Sequence, residues 1–250
     1  MLRHRLRFSP CLRAKSPCQN AELILWLLLS LAATPMLGQE QDSLSAKEKR
    51  RELARVQINE LKAGTLVVRI PSDARKIYAT QKLLESETLS ESARERLENQ
   101  LAETTEESNE RANAIMAAFR NEFNFTKVFF MYDYSMKPLL AGEREGLFLA
   151  EAQKVDPDLR LGEQPFFVLR LGKAELQGEG RLDALVFMDA EGKDLYKPFP
   201  YYLKLNTVTY LIDQLFYPSK AFAKNILARV KKLNARLYRF HESVGEIPRP

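Results

Sequence analysis

The chain has 250 residues, 45% of them hydrophobic and 28% charged, which excludes both a disordered tail and a collagen-like rod. Its net charge of +5 is concentrated at the start: residues 1–38 hold five bases (Arg3, Arg5, Arg7, Arg13, Lys15) against Glu22, leaving 33 basic and 32 acidic residues from Gln39 onward. Cys11, Cys18, His4 and Trp26 fall in the same segment, so the remainder carries one histidine, His241, and no thiol. Disulfides, thiol catalysis and cysteine-ligated metals are thereby excluded after residue 38, and neither a metal site nor a cofactor is expected.

Residues 23–33 (LILWLLLSLAA) form an apolar run behind the basic cluster, followed by Thr34, Pro35 and small residues up to Gly38. A basic stretch, a short apolar stretch and a helix breaker predict a secretory signal over 1–38, cleaved after Gly38 or Ala33 or retained as an anchor. Eleven residues are too few to cross a ~30 Å hydrocarbon layer comfortably at ~1.5 Å each. No later run reaches the length of a membrane span, so the exported chain is expected to be soluble and extracytoplasmic, in the periplasm or secreted.

Residues 39–250 read as a single α/β domain. Ser45-Ala46-Lys47-Glu48 has the form of a capping box, and the helix it opens should stop at Gly64, where a left-handed backbone costs little. Residues 65–70 (TLVVRI) predict a strand ended by Pro71, and a polar helix follows from about Asp73 to Leu84. Thr88-Leu89-Ser90-Glu91 is a second capping box, opening a long helix that runs to about Phe123. Its last turns carry the apolar stripe Ala112, Ile115, Met116, Phe119, Phe123, whereas 103–110 has almost nothing to bury, so 72–122 should form a hairpin arm with a packed base and a projecting tip.

Strands are then expected at 127–132 (KVFFMY), 146–149 (GLFL), 165–171 (PFFVLRL), 184–188 (ALVFM) and 201–205, with a turn over 189–193. The runs VFFM and ALVFM fit central strands buried on both faces. Phe222, Ile226, Val230, Leu233, Leu237, Phe240 and Val244 recur at helical spacing and predict an amphipathic C-terminal helix lying on the sheet. The expected fold is α/β (α+β), with a mixed central sheet of about five to six strands.

Gly-rich phosphate loops are absent. Asp133, Asp183, Asp189 and Asp194 lie at or near strand ends, where ligand clefts form in such sheets but where aspartate also suits turns. Arg69, inside an apolar strand, needs a partner if buried and can grip an anion if open. Pro198-Phe199-Pro200-Tyr201-Tyr202 offers aromatic faces for a sugar or peptide; alternatively Phe199 and one tyrosine plug the sheet edge, the two tyrosines pointing to opposite faces. Arg69, Asp133, Asp189, Tyr201 and Tyr202 are therefore the candidate ligand-binding residues, and no catalytic set is assigned. Asn124-Phe125-Thr126 matches the glycosylation sequon, but its aromatic centre beside a strand favours a buried join, and His241 reads as a rim residue.

Residues 61–71 (LKAGTLVVRIP), Phe119 with Phe123-Asn124-Phe125, Val128-Phe129-Phe130 and 198–202 together resemble a family of exported bacterial proteins with no assigned activity, over about Leu53 to Phe240. The resemblance implies an extracytoplasmic location and no particular chemistry. Residues 184–189 with Gly192-Lys193 are also similar to the late strand and turn of thioredoxin-like domains. Leu182-Asp183 stands where that family has a proline, and there is no CxxC, so this likeness implies a fold without redox chemistry.

These readings predict an exported, non-catalytic binding or assembly module of the bacterial envelope; the alternative is a carboxylate-based hydrolase of envelope material using Asp133 or Asp189. Charge suggests a partner. Residues 85–110 hold nine acids and two bases, while 219–243 hold seven bases and one acid, so the acidic arm of one copy complements the basic helix of another. An envelope protein or glycan is a further candidate partner. The mature net charge of +1 offers little attraction for nucleic acid.

Overall fold

In the computed structural model, which describes residues 38–150, 153–176, 180–205 and 218–244, the apolar runs pair into one mixed sheet. Its strands are β1 (Thr65–Ile70), β2 (Lys127–Tyr132), β3 (Phe166–Leu176), β4 (Gly180–Met188) and β5 (Tyr202–Lys204), in the order β2-β1-β3-β4-β5. β1 runs parallel to β2 and β3, whereas β3–β4 and β4–β5 are antiparallel. The helices are α1 (Gly38–Ala63), α2 (Ala74–Leu84), α3 (Glu91–Glu122), α4 (Met136–Leu140) and α5 (Pro218–Val244). The fold is thus α+β around a mixed sheet, and the described residues from Glu48 onward make one compact unit. The basic stretch, the apolar run 23–33 and both cysteines lie outside the described residues; among those described, no helix is long and apolar enough to cross a membrane.

Side-chain alternation along the strands builds two cores. Leu66, Val68 and Ile70 of β1, with Phe167, Leu169, Leu185 and Phe187, face Ile58 and Leu61 of α1, Ile115, Met116 and Phe119 of α3, and Ile226, Val230, Leu233 and Leu237 of α5. Val67, Phe129, Met131, Val168 and Met188 face the other way, onto Met136, Leu139, Leu147 and Phe148. The α5 stripe is buried through its middle, with Phe222, Phe240 and Val244 half-buried at its ends; four fully covered aliphatic side chains at ~1.5–3 kcal/mol each hold that helix to the sheet. Asn234 adds a polar lock: its Oδ1 accepts from the backbone N–H of Asn124 and Phe125, at 3.2 and 3.1 Å, and its amide donates to Asn124 Oδ1. Asn234→Ala is expected to cost about 1–2 kcal/mol in urea unfolding, since two main-chain donors lose their partner. Phe125 is buried in this join, as its aromatic character implied.

The structure departs from the sequence reading in several of its elements. α1 already begins at Gly38, so Ser45 lies inside the helix and is not its N-cap. Gly64 does end α1, but its φ is not positive; a Cβ there would lie 2.0 Å from the Pro165 carbonyl oxygen, so close backbone approach is the reason for glycine. The N-cap of α3 is Ser90, whose side chain accepts from the Ala93 N–H, two residues beyond the predicted Thr88. The stretch 103–110 does bury something: Thr104 and Ser108 lie inside, facing α2 and the start of the hairpin. Finally, β2 is an edge strand, and 146–149 is no strand of the sheet. Leu147, Phe148 and Leu149 are buried and lie alongside β2, with Leu149 N–H donating to Phe130 O, so the later part of the edge is covered and Phe129, Phe130 and Met131 are buried while Val128 is half-buried.

Candidate functional site

The two candidate aspartates sit at opposite ends of the sheet. Tyr132 is level with Ile70 and Met188 with Val67, so Asp133 and Asp189 are separated by five residue steps along the strands, about 16 Å, and by three strands across, about 14 Å. A glycosidase pair needs carboxyl groups ~5–9.5 Å apart, and these two do not form one. Each already serves the backbone. Asp133 Oδ1 accepts from the Ser72 hydroxyl and amide, joining the ends of β1 and β2. Asp189 Oδ1 accepts from the amides of Glu191 and Lys193, at 3.1 and 2.8 Å, closing the predicted turn, in which Gly192 takes a φ of 79°. Asp194 is held by Arg170, at 2.7 Å. Asp189 and Asp194 both line a hollow of about 780 Å³ between the start of β3 and the turn after β4.

Arg69 projects to the face of the sheet shared with Val67, half-buried, between Met131 and Arg170 across the two ladders. It makes no ion pair among the described residues; its neighbour Arg170 has taken Asp194. His241 is half-buried, with Nε2 3.2 Å from Asn59 Oδ1 and its ring edge-on to Phe125. It braces α5 against α1.

Tyr201 and Tyr202 converge, with ring centroids 4.8 Å apart, instead of pointing to opposite faces. Tyr201 precedes β5 and its N–H donates to Phe199 O, so strict strand alternation does not yet apply. Phe199 is the plug: fully buried, it meets Phe187 and Phe240 edge to face. Desolvation, then the neighbouring Tyr202, raises the Tyr201 phenol above its ordinary range, with Arg236 opposing.

Beside these tyrosines, β5 and α5 enclose an open groove of about 580 Å³ whose wall carries Lys204, Lys232, Arg236 and Arg239 and, among the described residues, no carboxylate. Pro198, Pro200, Leu203 and Phe240 give it an apolar floor. Arg236 is fixed by donating to Tyr202 O at 2.7 Å, so its remaining guanidinium donors are pre-oriented. Three of these cations belong to the basic helix legible in the sequence. Lys204 and the two prolines do not, because only the packing of the short β5 against α5 brings them there.

The counterpart charge sits on the arm. All nine acids between Glu85 and Glu110 are exposed, and none forms an ion pair among the described residues. Arg94 does not neutralise them, since its guanidinium donates to the carbonyls of Leu84 and Ser86 and ties the hairpin's turn. Within one chain α5 packs against α3, yet no acid of residues 85–110 forms an ion pair with a base of α5 among the described residues. Compared with known proteins, the chain matches no family model, no curated protein and no solved structure.

Proposed function

We propose that this is an exported, non-catalytic binding or assembly module that associates with copies of itself, the acidic arm of one chain lying along the cationic groove of the next. The observation that carries the reading is the segregation of charge just described: four cations with no carboxylate among the described lining residues of the groove, and nine exposed acids against two bases on the arm. Steering between such surfaces is favourable even when the whole molecule is nearly neutral. Each exposed pair contributes only ~0–1 kcal/mol and is screened by salt, so the association draws on several pairs and is salt-sensitive. The acids proposed for a hydrolase are dispersed and engaged with backbone, which favours binding over catalysis.

Sedimentation velocity at tens of micromolar protein checks this. At ~20 mM salt the protein should sediment as a dimer or larger species, and at ~500 mM as a monomer. The charge reversals Lys232→Glu and Arg239→Glu together should abolish the low-salt species, and adding Glu95→Lys and Glu98→Lys to the same chain should restore it. A monomer at both salt concentrations refutes the reading.

A further inference from the structure

A third cavity, independent of the charged surfaces, lies where parallel strands of α/β sheets commonly bind ligands, outside their carboxyl ends. Immediately after β1 and β2 the chain turns away, β1 into α2 and β2 into a 3-10 turn (Asp133–Ser135), and the hairpin α2–α3 closes over the gap. The result is a cleft of about 250 Å³ bounded by Ser72, Gln81, Thr105, Asn109, Tyr78 and Tyr134, with Tyr132 behind them. Among the described residues no carboxylate, ammonium or guanidinium lines it.

Of the charged groups nearby, Lys82 lies over the Tyr78 ring, 5.5 Å from its centroid, and Glu106 and Glu110 are exposed to solvent. Asp133 is taken by Ser72, and Asp73, whose left-handed backbone (φ 50°) starts α2, pairs with Arg111 at 2.9 Å. What remains turned toward the opening is neutral and polar: the side-chain amides of Gln81 and Asn109 and the phenols of Tyr78 and Tyr134. Tyr78 is 60% exposed and Tyr134 56%, large aromatic surface left in water at the rim of a concavity. Tyr134 is also held in place, because its ring stacks on Tyr132 at 5.4 Å and 28°, and Tyr132 hydrogen-bonds Gln153. Desolvation and the neighbouring Tyr134 keep the Tyr132 phenol above its ordinary range. Desolvation and Asp133 do the same for Tyr134, so both are hydrogen-bond donors at neutral pH.

We propose that this cleft binds one residue of an uncharged sugar. A pyranose offers a face of C–H groups to the fixed Tyr134 ring and hydroxyls, both donor and acceptor, to the amides of Gln81 and Asn109. An anionic ligand finds no cation among the described lining residues. A purely apolar one would leave the amides unpaired, at a cost in affinity. The volume is below the ~300–1,000 Å³ of sites for drug-sized ligands, which fits a single ring and excludes a folded peptide. Tyr78 across the opening provides the second wall. The sugar's source, free monosaccharide or terminal residue of a chain, is separated by the experiment.

Heteronuclear NMR on the full-length protein, titrated with glucose, N-acetylglucosamine, chitotriose and glucuronate, tests the site. At least one of the three neutral sugars should shift the amides of residues 72–81, 105–109 and 132–134, with glucuronate at least fivefold weaker. Preference for chitotriose over its monomer identifies a chain end; equal affinity identifies the free sugar, and either supports the site. Tyr134→Ala and Tyr78→Ala should each weaken binding fivefold or more, whereas Tyr134→Phe should stay within twofold because the stacking face remains. Both tyrosines are exposed, so the variants should keep the wild-type melting temperature. The proposal is overturned if no neutral sugar shifts these amides at ~20 mM, if glucuronate binds as well as the neutral sugars, or if the alanine variants bind like the wild type.

Discussion

Gly64→Ala should lower stability by about 3–4 kcal/mol, which for a domain of this size corresponds to a fall in melting temperature of about 6–15 °C. The added methyl would lie 2.0 Å from Pro165 O and 2.7 Å from Glu60 O, and both obstacles are main chain, so no side chain can swing aside. Overpacking of this kind costs ~1–3 kcal/mol or somewhat more. Relief requires moving β1 from the residue before β3, and that stretches the Thr65 N–H bond to Pro165 O, now 3.0 Å, worth a further ~0.5–1.5 kcal/mol. Gly162→Ala is the control: a methyl there would meet nothing within 4 Å and its φ is not positive, so it should change stability by less than about 0.5 kcal/mol. Thermal melts of the two variants side by side check the argument; equal behaviour would contradict it.

Phe187→Ala should cost about 3–5 kcal/mol in urea unfolding, because the ring is wholly buried between β3 and β5 with no room for the structure to collapse onto the gap at little cost. Phe199→Ala should cost a similar amount, although Phe199 belongs to a loop and not to a strand. The two rings meet at 5.5 Å and 79°, an edge-to-face contact worth ~0.5–1.5 kcal/mol beyond the area each buries. A double-mutant cycle with leucine at each position, mild enough to keep the chain folded, should return a coupling energy in that range. Additive losses would show that Phe199 fills space beside Phe187 without a specific contact.

Much of the fold was legible because its strands are bounded by strong local signals. TLVVRI lies between Gly64 and Pro71, and KVFFMY follows a helix that ends in aromatics; both strands have the predicted limits. The errors arise where two local signals compete or where a distant segment decides. Thr88 and Ser90 both precede an acidic run, and only the path of the chain out of α2 selects Ser90. VFFM and GLFL have the same apolar density, yet one joins the ladder and the other lies beside it, because sheet membership depends on backbone partners and burial does not reveal them. The neutral cleft was invisible for a related reason. Ser72, Gln81, Thr105, Asn109 and Tyr134 are ordinary polar residues from a loop, two helices and a turn, with no spacing in common. By contrast, the charge asymmetry survived folding intact, since exposed glutamates stay exposed wherever a helix of that composition is placed.

The α2–α3 arm is also a crossover between the parallel neighbours β1 and β2, occupying residues 71–126 where a dozen or so residues would suffice to make the connection. Closing a loop costs entropy only logarithmically in its length, about 0.6 kcal/mol for each doubling. The reach of the arm is therefore almost uncoupled from the stability of the sheet, so insertions or deletions of whole helical turns near its tip, around residues 84–97, change what the arm can touch without loosening the β1–β2 ladder. The same freedom does not extend to its base, where Ile115, Met116 and Phe119 belong to the core.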